Sequence, residues 1–172
     1  EKVSLSDIFV HTAIDFRSSP VTAQITSEIT LTESNENVTI RQYYTPKSTA
    51  VAQESWRLLC EQTVPTDVSC DKEFSLTATI TAPLLWDTEE ANLYILKTQL
   101  LYQDNTILDE TETRFGIREA VFKKDGFYLN GRKLRIRGLN RHQSFPYVGY
   151  AMPKSMQRLD ADLLKKELGL NA

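Results

Sequence analysis

The sequence predicts a mainly β chain: an immunoglobulin-like β-sandwich over residues 1–118, then a β-hairpin, a strand and one helix over residues 119–172. Three observations predict it. Between Val3 and Arg118 short β-prone runs recur with polar joints, about seven of them, and none alternates with a helical pattern, which favours a sandwich over a βα fold. After Arg118 the pattern changes, because Asn130-Gly131 stands between two apolar-containing runs, the strongest short-range hairpin signal. From Met156 onward apolar residues recur at helical spacing.

Taken in order, VSLSDIFVHTAI opens the series and RSSP turns it. VTAQITSEITLT offers Val21, Ala23, Ile25, Ile29 and Leu31 to a core, and a slip of phase near Ser27-Glu28 predicts a bulge there. SNEN is a turn, and VTIRQYY is a third strand closed by Pro46. AVAQESWRLLCEQ does not alternate strictly at Val51, Trp56, Leu59 and Cys60, yet it lacks helix caps and strands flank it, so it reads as a strand. EFSLTATIT alternates Phe74, Leu76, Ala78 and Ile80, and ANLYILKTQLLY pairs with ILDETETRFGIR across the turn QDN. The Cys-Trp-Cys order of antibody domains is absent, so the likeness to immunoglobulins is one of architecture.

Beyond Arg118, LRIRGLN reads as a strand running into Asn140-Arg141-His142. Arg135 and Arg137 alternate with Leu134 and Ile136, which predicts a strand with one exposed basic face. The helix that follows places Met156, Leu159, Leu163, Leu164 and Leu168 on one face, with Ser155 as its N-cap and Gly169 as its C-cap. One strand–loop–helix unit cannot bury its own faces. The tail is therefore expected to open a further domain, with its leucines covered by the sandwich or by a second copy of the chain. The missing initiator methionine fits a piece of a longer or matured chain.

Composition narrows the partners. With 41% hydrophobic and 25% charged residues and a formal charge of −3, the chain is that of a soluble globular protein, and neither nucleic acid nor an anionic membrane is drawn to so weakly acidic a surface. No apolar run approaches the roughly 18 residues that span a bilayer. Cys60 and Cys70 stand ten residues apart, where a hairpin could pair them, but two thiols make no disulfide framework and they read as unpaired. The Asn37-Val38-Thr39 sequon matters only in a secreted protein, so cytoplasmic and periplasmic or secreted locations both stay open. Two histidines without nearby cysteines argue against zinc.

The stretch DGFYLNGRKLRIRGLNRH, a proline followed by GYAMP, and DLLKKELGLNA resemble the entry into the catalytic barrel of glycoside hydrolase family 2, the β-galactosidase group. Upstream, TAPLLWDTEEANLYILKTQLL and DETETRFGIRE are similar to the last strands of that family's central sandwich domain. The resemblance implies a multidomain enzyme, in which this sandwich precedes a (β/α)8 barrel and LRIRGLN is the first barrel strand. Asn140, Arg141 and His142 would then lie at its C-terminal end, where barrel active sites are built, as substrate-binding residues. His142 matches the family histidine that lines the sugar subsite and donates to substrate hydroxyls.

The chemistry so implied is retaining hydrolysis of terminal β-linked galactose by two carboxyl groups roughly 5 Å apart. In the family both are glutamates of later barrel strands, so no catalytic residue is expected in this chain, which is expected to be inactive alone. Asn35-Glu36 lies in the wrong element to serve, and Asp160, Asp162 and Glu167 read as the solvent face of the helix. Gln143 stands where the family's β-galactosidases often have Glu, which leaves the exact sugar open, although Arg141 beside His142 fits them better than it fits glucuronidases or mannosidases. No cofactor or metal is expected within these residues, whereas the intact enzyme could use magnesium or sodium. The partners implied are a carbohydrate, the remaining domains of the same polypeptide and a homo-oligomer. The rival reading is a stand-alone immunoglobulin-like binding or adhesion module, which would have no use for the Asn140–Gly169 tail.

Overall fold

A computed structural model describes residues 3–32, 37–47, 55–65, 73–142 and 144–172. They form two compact units, Glu1–Glu119 and Ala120–Ala172. In the first, the strands are β1 (Leu5–Asp15), β2 (Thr22–Leu31), β3 (Val38–Pro46), β4 (Arg57–Val64), β5 (Glu73–Thr81), β6 (Tyr94–Leu101) and β7 (Ile107–Phe115). They make a three-stranded sheet in the order β1-β2-β5 and a four-stranded sheet in the order β4-β3-β6-β7, antiparallel throughout. That is the expected immunoglobulin-like sandwich.

The core is what a two-residue period dictates. Ala23, Ile25, Ile29 and Leu31 of β2 share one face with Ser27, and all are buried. Leu76 and Ile80 of β5, Val38 and Ile40 of β3, and Leu96 and Leu100 of β6 complete two apolar clusters, each such side chain stabilising the fold by about 1.5–3 kcal/mol. No phase slip occurs at Ser27-Glu28: β2 keeps its register through these residues with both β1 and β5, so the expected bulge is absent there, and the one shift in its pairing with β1 falls between Leu5 and Asp7. Ser27 occupies a core position despite its polarity, because the facing sheet supplies a partner. Its hydroxyl donates to Gln42 Oε1 at 2.8 Å, and Gln42 Nε2 donates to Thr98 Oγ1 at 3.1 Å. Ser27, Gln42 and Thr98 are all buried, so without these bonds each would carry an uncompensated desolvation cost.

The ambiguous fourth segment is a strand, and a bulge explains its broken pattern. Gln42 opposes Cys60 while Tyr43 opposes Leu58, which leaves Leu59 as the extra residue. Cys60 is half-buried with a free thiol; its Sγ donates to Gln42 Oε1 at 3.3 Å, and burial pushes its pKa up. Cys70 lies outside the described residues, as do the Asn35-Glu36 pair and Gln143. At the start of β6 the phenol of the buried Tyr94 accepts a hydrogen bond from the Leu84 N–H at 2.7 Å. This is the tyrosine corner of sandwich domains, pinning a connection to the strand it precedes.

The second unit begins with β8 (Ala120–Lys123), β9 (Gly126–Leu129) and β10 (Arg132–Leu134), a sheet in the order β10-β9-β8. Asn130 and Gly131 form the expected hairpin turn, with φ of 50° and 75° between the paired Leu129 and Arg132. Both central residues at positive φ are what a two-residue hairpin turn requires. The helix α1 spans Lys154–Asp162 and continues as a π-helical turn, Leu163–Glu167. Its N-cap is Pro153 rather than Ser155: proline already holds φ at −69°, and its carbonyl accepts the Met156 and Gln157 N–H groups at 3.0 and 3.1 Å. Gly169, at φ 63°, supplies the left-handed residue that ends the helical run. Of the expected apolar face, Leu159, Leu163 and Leu168 are exposed, whereas Met156 and Leu164 are half-buried.

Candidate functional site

Of the expected first barrel strand, LRIRGLN, only Leu134 is ladder-paired, as the last residue of β10 opposite Phe127 of β9. Residues 135–138 carry on beyond it and meet the last two residues. The Arg137 carbonyl accepts the N–H groups of Asn171 and Ala172 at 2.9 and 3.1 Å. The Asn171 side chain completes a clasp: its Oδ1 accepts the Arg137 N–H at 2.7 Å, and its Nδ2 donates to the Arg135 carbonyl at 3.1 Å. Gly138 permits this approach, since a Cβ there would stand 2.9 Å from the Ala172 carbonyl oxygen. The segment leaves through a loop, returns along α1 and comes back beside itself, which is the start of a β-α-β crossover. Arg135 and Arg137 are exposed, but Ile136 between them is exposed as well and no strand extends past Leu134, so the expected strand with one basic face is not formed in this segment.

Asn140, Arg141 and His142 follow directly, at the C-terminal end of that segment, and all three are exposed. The backbone turns sharply there, with Ser144 N–H donating to the His142 carbonyl at 2.8 Å. Further on, Phe145 and Gly149 exchange hydrogen bonds of 3.1 and 2.9 Å, and Tyr147 at their tip lies at φ 70° and is fully exposed.

Arg141 differs from its neighbours in having its guanidinium engaged. Nε donates to the Asp160 carboxylate, Nη2 donates to Gln157 Oε1 at 2.6 Å, and the same nitrogen lies 3.6 Å from Met152 Sδ. Asp160 is therefore not on the solvent face of α1 as expected: its side chain is 25% exposed and faces the loop. Asp162 does point outward, paired with Lys166 at 3.0 Å one turn on, and Glu167 is exposed. Asp160 and Gln157 were missed as site residues. The one signal was their i, i+3 spacing, which puts both on one helical edge.

The carboxylate inventory restricts what this loop can do. From Gly126 to Leu159 the sequence contains no Asp or Glu. Asp160, the first to follow, is held by Arg141. Among the described residues no group of three or more His, Cys, Asp or Glu side chains could hold a metal ion, and no helix is long and apolar enough to cross a membrane. Donors are present in Asn140 and His142, whereas a carboxyl pair for acid–base work is not at this loop.

Residues 3–118 match the family model of glycosyl hydrolases family 2, and residues 120–172 match that family's TIM barrel domain. A β-galactosidase of Thermoanaerobacterium thermosulfurigenes is 61% identical over 87 residues, covering 51% of this chain and 12% of that protein. Among solved structures, a glycosyl hydrolase family 2 member from Bacteroides cellulosilyticus superposes with a TM-score of 0.81 at 22% identity, over 98% of this chain and 21% of that one. The β-glucuronidase 2 of Bacteroides uniformis does so with a TM-score of 0.68 at 25% identity, over 99% of this chain and 21% of that one. The chain thus spans about an eighth to a fifth of the length of these relatives.

Proposed function

Because the chain belongs to glycosyl hydrolases family 2, we propose that it forms the immunoglobulin-like domain and the first barrel segment of a retaining β-galactosidase. The observation that carries this is the match of two successive models of one family, in order, to the sandwich and to the strand–loop–helix unit. The 61% identity to a β-galactosidase over 87 residues, against 43% to a putative β-glucuronidase of Formosa agariphila over 90 residues, supports galactose as the sugar.

In the whole enzyme the sandwich is a scaffold that packs with the other domains of the polypeptide. Asn140, Arg141 and His142 form the first wall of the sugar subsite at the C-terminal face of the barrel, the end where barrel sites are assembled. The imidazole of His142 and the amide of Asn140 can donate to sugar hydroxyls, contacts that tighten as positive charge develops at the anomeric carbon. Proton delivery to the departing oxygen and attack on the anomeric carbon fall to two carboxyl groups outside this chain. Any magnesium or sodium requirement belongs to residues outside it as well.

The test compares two preparations on aryl β-galactosides and aryl β-glucuronides. The whole gene product should release galactose with retention of anomeric configuration, read by NMR in the first turnovers, and prefer the galactoside. The purified 172-residue chain should release aglycone no faster than buffer. Cleavage by the 172-residue chain itself, or inversion by the whole product, would overturn the proposal.

A further inference from the structure

The guanidinium of Arg141 is turned into the protein's own helix, and from this we infer that Asp160 is a positioning residue for the sugar site, acting through Arg141. The inference rests on the function proposed above. Arg141 is linked to Asp160 through Nε and to Gln157 through Nη2, and Nη2 also reaches Met152 Sδ. Asp160 and Gln157 stand three residues apart on one edge of α1, so their two acceptors meet the two sides of a planar fork. Arg141 and Met152 stand at the two ends of the exposed loop that follows the candidate strand. One guanidinium therefore ties both ends of that loop to the helix.

The consequence falls on His142. It is joined to Arg141 by a single peptide bond, its own carbonyl is taken by the Ser144 N–H, and its side chain is exposed. Among the described residues no side chain bonds the imidazole itself, so its direction follows the backbone that carries it. Fixing Arg141 to α1 fixes where that backbone leaves the strand. With Nε already donating to Asp160 and Nη2 to Gln157, Arg141 also has fewer N–H groups left to offer sugar hydroxyls. Arg141 thus belongs to the wall as its brace, and Asp160 is the anchor.

Misplacing a reacting or orienting group by about 1 Å can cost on the order of 100-fold in rate. In the whole gene product, Asp160→Asn should lower kcat/KM for an aryl β-galactoside by about 10- to 100-fold, mainly in kcat, because the contacts it positions tighten in the transition state. Asp160→Glu should recover part of the loss. Adding Asp160→Asn to His142→Ala should lower kcat/KM no further, since Asp160 works through His142; a merely structural loss would add. In the 172-residue chain, NMR of the Arg141 Nε–H should show slow solvent exchange that Asp160→Asn brings to the rate of free arginine, with the β9–β10 amides unchanged. Rapid Nε–H exchange in the unsubstituted chain, an unchanged kcat/KM for Asp160→Asn in an active enzyme, or full additivity with His142→Ala would each overturn the inference. A whole gene product that cleaves no β-glycoside would overturn the glycosidase proposal instead, and Nε–H exchange would then decide the brace by itself.

Discussion

Gln42 and Ser27 meet across the interior of the sandwich, the Ser27 hydroxyl of β2 donating to the Gln42 side-chain oxygen of β3 at 2.8 Å. The amide nitrogen of Gln42 goes on to Thr98 of β6, so one side chain serves polar groups from three strands. A buried polar chain of this kind is sensitive to losing its middle member, because Thr98 then loses its partner and the Ser27 hydroxyl keeps only a long 3.4 Å bond to the Leu76 carbonyl. Gln42→Ala should lower stability by about 2–3 kcal/mol. Ser27→Ala combined with Gln42→Leu should recover part of that, since the Ser27–Gln42 pair is then replaced by apolar groups and only Thr98 is left without its partner. Urea titration followed by tryptophan fluorescence reads it, because Trp56 and Trp86 both lie in the first unit. Equal losses for the single and double variants would remove the polar chain as the cause.

Tyr94→Phe isolates the corner bond. The ring stays buried against Phe115, whose centroid is 5.5 Å away, while the Leu84 N–H loses the phenol as its acceptor. The expected loss is about 1–1.5 kcal/mol by the same titration, larger than a surface substitution and smaller than a core truncation. No change would mean that water replaces the phenol at Leu84.

How much of this was legible follows from the range of each interaction. Asn130-Gly131 was legible because the turn is made by the backbone preferences of those two residues alone. The apolar face of β2 was legible from its alternation, but Ser27 was taken for a slip because its partner stands 15 residues on and in the other sheet. The irregular pattern of β4 concealed a bulge, whose origin lies in its pairing with β3. In the candidate site, the Asn140-Arg141-His142 run and its place after a strand could be read along the chain. Where the Arg141 fork ends could not, since Asp160 is 19 residues away and its spacing to Gln157 suits an ordinary solvated helix equally well. The clasp by Asn171 is longer still, 34 residues from Arg137, and no local pattern marks it.

Gly138→Ala tests that clasp. The added Cβ would press on the Ala172 carbonyl, a backbone atom that cannot turn aside as a side chain could, so the two segments must separate. The amides of Asn171 and Ala172, now bonded to the Arg137 carbonyl, should exchange with solvent at least tenfold faster, while those of the Leu129–Arg132 hairpin keep their rates. Asn171→Ala should produce the same pattern by removing the side-chain half of the clasp. Unchanged exchange in both variants would show that strand and tail are held by something other than these four bonds.

Asp125 makes the hairpin sensitive to acid. Its Oδ2 accepts the Tyr128 hydroxyl at 2.7 Å and the Lys133 ammonium at 3.0 Å, joining the β8–β9 turn to β10. The phenol first and the ammonium second hold its pKa below the ordinary 3.8, while the bond to Asp125 raises that of Tyr128. A carboxyl group whose pKa is lower in the folded state stabilises that state fully above its unfolded pKa, and the contribution is lost as pH falls through the folded value. The hairpin should therefore be insensitive to pH between 7 and about 5 and loosen below about pH 4. Two NMR signals check this: the Asp125 carboxyl carbon, which should titrate at a lower midpoint than an aspartate in an unfolded peptide, and the cross-strand contact between Val121 and Tyr128, which should weaken over the same interval. Asp125→Asn should flatten the second response, and 1 M salt should reduce it by screening the exposed Lys133 pair. If the Val121–Tyr128 contact fades identically in Asp125→Asn, the acid sensitivity belongs to another carboxylate.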